Sequence, residues 1–134
     1  MRKPKTLTDK DFETAIEIIL NGELRKHARV WGGTAVTKYA ASLEGTKDKP
    51  IKKEKRANVV IPISRVENQI KTFLAKGQYI SEYSAVFLAG VIDYLCGEVL
   101  ELAGNSAKEH GRKSIAPMCV RSCLLYTSDA ADEV

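Results

Sequence analysis

Between Ser84 and His110 the sequence runs without a proline through 27 positions, roughly 40 Å if helical throughout. This stretch limits what the chain can fold into more than any other. At 100° per residue Leu88, Val91, Ile92, Leu95, Cys96, Val99, Leu100, Leu102 and Ala103 sweep about half the circumference, wider than the stripe of an ordinary surface helix. A helix of that kind belongs in the centre of an assembly, so an all-α chain that is an obligate oligomer is expected. Asp93, Glu98 and Glu101 lie on the opposite face with Gly90, Gly97 and Asn105. Gly111 closes the helix, Lys113 to Ala116 read as a very short extended segment, and Pro117 permits a new helix to begin.

Upstream, Thr8 and Asp11 make a capping-box start, and Phe12, Ala15, Ile16 and Ile19 fall at i, i+3, i+4 and i+7, which predicts an amphipathic helix from Thr8 to Leu20. Asn21-Gly22 ends it. A second helix is predicted from Glu23 to Ala41 on the stripe Leu24, Ala28, Trp31, Ala35 and Tyr39. Its internal Gly32-Gly33 costs about 2 kcal/mol relative to alanines, so it needs a surface to lie on. Residues 43–57 hold KDKPIKKEKR and almost no apolar side chains, the composition of a flexible basic linker. Val59 to Ile61 read as extended. Ser64 with Glu67 form a second capping box before Val66, Ile70, Phe73 and Leu74, and Gly77 stops that helix.

The formal charge of +4 is uneven: residues 123–134 contain three acids and no base, so the remainder stands at +7 and suits an anionic partner. No run of 18 apolar residues occurs and no apolar stretch follows the basic start, so neither a membrane span nor secretion is expected. Cys96, Cys119 and Cys123 are odd in number and lack paired C-x-x-C spacing, which argues against a disulfide framework or a zinc site. His27 and His110 have no ligand at metal spacing, and no nucleophile elbow or glycine-rich phosphate loop is present. No catalysis, metal or cofactor is expected. His27, within RKHA, is expected to pack or hydrogen-bond on its helix.

The stretch VIDYLCGEVLELAGNSAKEH, Val91 to His110, resembles the long central helix of 2A-type core histones, and ISRVENQIKTFLAKGQY resembles their first helix and loop. Together the likeness covers Asn58 to Arg121. LTDKDFETAIEIILNGELRKHA with AVTKYAAS, Leu7 to Ser42, resembles the third and C-terminal helices of a 2B-type histone. The resemblance therefore implies a partial histone doublet of the kind large DNA viruses carry. Its parts would be 1–42 of 2B type, the 43–57 linker, 58–122 as a truncated 2A-type histone fold, and 123–134, where CLLYTSDAADE resembles a translated sequencing adapter and is expected not to be native.

What the resemblance implies for sites follows by position. DNA backbone contacts without base reading would come from Arg65, Lys76, Arg112 and Lys113 of the 2A part and from Lys3, Lys5 and Thr6 of the 2B part. Two expected loop arginines are replaced, by Glu82 and by Ser114. The acidic surface that docks basic peptides maps onto Glu23, Asp93, Glu98 and Glu101, with Trp31 where one acid is expected. Lys38 falls at a ubiquitin-modified position. Implied partners are double-stranded DNA and other core histones or doublets, in a eukaryotic nucleus or, if viral, in the virion and viral factory. Two rival readings stand beside this one: a histone-fold subunit of a transcription factor, and a helical interaction module that binds no DNA.

Overall fold

The computed structural model describes residues 6–122, so Lys3, Lys5 and the tail at 123–134 lie outside the described residues. In chain order the elements are β1 (Thr6–Leu7), α1 (Asp9–Ile19), α2 (Gly22–Leu43), α3 (Lys53–Ala57), α4 (Ile63–Phe73), β2 (Tyr79–Ile80) and α5 (Glu82–Glu109). Residues 117–122 are helical again. The chain divides after Asp93, inside α5, into two compact units.

In the first unit α1 starts as its sequence predicts, with the Thr8 N–H donating to Asp11 Oδ2 at 2.8 Å. Arg29 on α2 reaches back to Glu13 at 2.8 Å and Glu17 at 2.7 Å, tying the two helices together across their exposed side. The second capping box does not form. Pro62 occupies the N-cap of α4, the Ile63 N–H donates to Glu54 Oε1 at 2.7 Å, and Glu67 instead holds Lys53 Nζ at 2.6 Å. Both partners come from α3, a segment that composition alone assigns to a flexible linker.

That expectation of flexibility fails because of Arg56. Its side chain is buried, and its guanidinium donates to Ser42 O at 2.8 Å, Ser42 Oγ at 3.2 Å, Thr46 Oγ1 at 3.0 Å, Thr46 O at 2.7 Å and Lys49 O at 3.1 Å. A buried cation is tolerated only when its donors are satisfied, and here carbonyl and hydroxyl dipoles of the 42–49 turn do so. Ala57 then enters the core, and Asn58 closes α3 in the left-handed conformation with φ 57°. Residues 59–61 follow as an irregular turn, with no strand.

The core of this unit gathers Ala35, Tyr39, Ala57, Ile63, Val66, Ile70, Ala85, Val86 and Ala89, flanked by Phe12, Leu74, Leu88 and Ile92. Burial on α5 runs continuously from Ser84 to Phe87 and from Ala89 to Val91, all round the helix rather than along one arc. Gly90, placed by the wheel on the polar face, is buried where α5 meets α2: a Cβ there would lie 2.8 Å from Ala35 Cβ, 2.9 Å from Trp31 O and 3.0 Å from Gly32 Cα. Gly32 packs reciprocally, its missing Cβ 2.7 Å from the Phe87 ring. The seam of α2 is therefore Ala28, Gly32, Ala35 and Tyr39, and Trp31, expected in it, is about half exposed. Ile19 and Phe73, also expected inside, are exposed as well.

In the second unit Ala103, Ala107 and Cys119 are buried, with Ala116 and Val120 packed against them. Gly111 takes φ 67°, and the Arg112 N–H donates to Ala107 O at 2.8 Å, a glycine-dependent helix stop. Lys113 to Ala116 form a bend rather than the expected extended segment. Cys96 and Leu100, both counted in the apolar arc, are exposed.

The Tyr39 hydroxyl donates to Glu82 Oε1, and its ring meets Tyr83 edge to face at a centroid distance of 5.9 Å. Burial and then the Glu82 carboxylate push the phenol well above its ordinary value near 10. The folded chain thus keeps a proton that the unfolded chain releases, so this contribution is complete below pH 10 and is lost progressively above it. Chemical denaturation between pH 8 and 11 should show stability falling above pH 10 more steeply in the parent than in Tyr39→Phe.

The two adjacent glycines of α2 provide a second measurement. A Cβ on Gly33 meets nothing within 4 Å, so Gly33→Ala should raise stability by up to about 1 kcal/mol through helix propensity. Gly90→Ala drives a methyl into the backbone of α2 and should lower stability by about 1 to 3 kcal/mol. Denaturation midpoints of the two variants shifting in the same direction would contradict the crossing described above.

Candidate nucleic-acid interface

β1 and β2 pair in parallel, Thr6 opposite Tyr79 and Leu7 opposite Ile80. Parallel pairing needs the two segments to come from distant parts of the chain, and 72 residues of intervening structure separate Leu7 from Ile80. The contact is extended by Leu7 O, which accepts from the Ser81 N–H at 2.8 Å and from Ser84 Oγ at 2.9 Å. Ser84 is fully buried, so this carbonyl is anchored to the first turn of α5. The pair exposes Thr6 and Tyr79 on its outer side.

Of the predicted phosphate contacts in the first unit, the described ones are Thr6, within this pair, and Lys76 and Arg65. Lys76 is exposed in the turn before β2, where Gly77 takes φ 85° and Gln78 Oε1 accepts from the Ala75 N–H at 2.9 Å. Arg65 is exposed on the first turn of α4, at the rim of an apolar cleft of about 600 Å³ lined by Leu7, Phe12, Val66, Ile70, Leu88 and Ile92. Arg112 and Lys113 are exposed in the second unit, just beyond the stop of α5. None of these four cations takes part in an ion pair among the described residues. An exposed, unpaired ammonium or guanidinium breaks no internal ion pair to meet a phosphate.

Where an arginine was expected next to β2, Glu82 is used internally as the acceptor of Tyr39. That loop therefore grips nothing anionic through position 82. Glu23 is exposed, with Lys26 Nζ at 3.6 Å and His27 Nε2 at 3.5 Å along the same helix. Asp93 is half-buried and accepts the Val60 N–H at 3.2 Å, a role that its position on a polar helix face did not suggest. In the second unit Glu98 is half-buried and Glu101 exposed. Lys38 is exposed near the end of α2. Among the described residues no group of three metal-ligating side chains occurs, and no helix is long and apolar enough to cross a membrane.

Sequence reasoning misses Arg56 altogether, counting it as one charge in a loose linker. The one signal available is its place directly before Ala57, the residue at which the chain turns back into the core.

No family model matches the chain. It is 39% identical over 71 residues to variant 1 of the 2A-type histones of Arabidopsis thaliana, covering 53% of this chain and 52% of that protein. Against the 2A-type histone called Bbd type 1 of Mus musculus the identity is 44% over 70 residues, covering 50% and 60%. Against the first 2A-type histone of Tetrahymena pyriformis it is 38% over 89 residues, covering 64% and 59%. The chain spans about half to three fifths of the length of the curated relatives it matches. It is thus an all-α chain with a histone fold, homologous to 2A-type histones over half to nearly two thirds of its length.

Proposed function

We propose that this chain is the junction of a histone doublet, the end of a 2B-type histone joined to a 2A-type fold, and that it packages double-stranded DNA in chromatin by sequence-nonspecific backbone contacts. The parallel β1–β2 pair carries this reading. It brings the loop before the 2B-like helices beside the loop after the first 2A-like helix, within one chain. Separate histones must associate to bring such loops together; a doublet holds them at a high effective concentration.

Lys3, Lys5, Thr6, Arg65, Lys76, Arg112 and Lys113 are the proposed phosphate contacts. The protein acts without catalysis, in a chromosome within a nucleus, with other core histones or doublets as partners. The apolar cleft between α1, α4 and α5 is the proposed seat of the long helix of a 2B-type N-terminal half. Glu23, Asp93, Glu98 and Glu101 would receive basic peptides, whose arginine forks match carboxylate oxygens. Lys38 is the proposed modification site.

Affinity for random-sequence duplex DNA should fall by about 0.9 log units per log unit of salt for each phosphate contact, without preference among sequences. Replacing both Arg112 and Lys113 with alanine should shallow that slope by roughly 1.8. An unchanged slope would remove the pair from the interface, and strong preference for one sequence would favour a transcription-factor subunit. Adding a separately expressed 2B-type N-terminal half should raise helicity and sharpen thermal melting. No change in either on mixing would argue against the doublet.

A further inference from the structure

The connector between α2 and α4 carries six cations, none among the phosphate contacts named above, and four of them are exposed and unpaired. Lys47, Lys49, Lys52 and Lys55 are all exposed and take part in no ion pair among the described residues. The other charges of the segment are largely committed internally: Lys53 to Glu67, Glu54 to the Ile63 N–H, and Arg56 to the turn itself. Glu44 and Asp48 are the remaining exposed acids, leaving four cations against two.

The backbone that carries these lysines is held in place. Arg56 binds the carbonyls of Ser42, Thr46 and Lys49, and Thr46 Oγ1 donates back to Ser42 O, so one buried guanidinium sets the path of the turn bearing Lys47 and Lys49. Lys52 is the N-cap residue of α3 and Lys55 its third residue, and the far end of that helix is fixed by buried Ala57. A loose lysine-rich linker would lose its conformational freedom on meeting a polyanion. Here that entropy has already been spent in folding.

We propose that this connector is a preformed phosphate-binding surface, through which Lys47, Lys49, Lys52 and Lys55 engage the backbone of double-stranded DNA. The proposal rests on the DNA-packaging reading above and adds a site to it. Lysine suits the task because a flexible ammonium adapts to any phosphate along a groove, and the surface offers no means of reading bases.

The test compares salt slopes of duplex binding for the full chain, for a variant with all four connector lysines changed to glutamine, and for a control with Lys10, Lys26, Lys38 and Lys71 changed to glutamine. The connector variant should lose at least about two units of slope, equivalent to two or more phosphate contacts, and the control less than about one. Arg56→Gln, with every connector lysine retained, should weaken binding several-fold with little change of slope; if it fails to fold, the lysine variants still decide. Equal losses from connector and control variants would reduce the effect to net charge and overturn the proposal. An unchanged connector slope would overturn it too while leaving DNA packaging intact, and if that variant instead lost binding to polyglutamate, the surface would belong to an acidic protein. A parent chain without salt-dependent binding would overturn the packaging reading itself.

Discussion

Where α2 crosses α5, Gly32 and Gly90 let two helix backbones meet with almost nothing between them, and the remainder of the first unit is arranged around that contact. Close approach there brings Phe87 onto Gly32 and buries α5 on every side over its first turns. It also explains why the large side chain at position 31 lies outside: with Trp31 O pressed against Gly90, its side chain is left at the edge of the crossing. Glycines that cost helix propensity are thus compensated by packing that larger residues would forbid.

From the same crossing, α2 carries Tyr39 to the start of α5, where its hydroxyl finds Glu82. Two residues further along α5, Ser84 holds the Leu7 carbonyl and so the end of β1. A helix contact, a buried phenol and a buried serine lead in sequence to the paired loops on which the doublet reading stands. Glu82, which stands where the histone resemblance leads one to expect an arginine, serves that chain of contacts.

Polar anchoring extends the unit where apolar side chains run out. The connector has too little hydrophobic surface to fold by burial, yet one buried arginine collects five hydrogen bonds, and two further contacts from α3 cap and brace α4. Neutral hydrogen bonds contribute on the order of 1 kcal/mol each and bonds to a charged group more, but losing the buried cation's partners would cost far more than any one bond gains. Order in this segment is therefore cooperative with the helices on both sides of it.

Much was legible in the residues alone. The period of α1 and α4, the Thr8–Asp11 cap, the glycine stop at Gly111 and the long uninterrupted α5 follow from local rules, because capping and helix periodicity involve residues within a turn or two of one another. The motifs LELAGN and AVTKY pointed to a histone fold, and positions such as Arg65, Lys76 and Arg112 are as exposed as a surface role requires. What only the tertiary structure decided is which partners distant groups find. A helical wheel weighs large apolar side chains and cannot see that Gly90 is buried because another backbone lies against it. Charge counting treats Arg56 as a solvated cation, since nothing local says that three carbonyls will converge on it. The pairing of Thr6–Leu7 with Tyr79–Ile80 is likewise invisible to any local rule, because two-residue strands have almost no intrinsic stability and exist only where the surrounding helices bring them together.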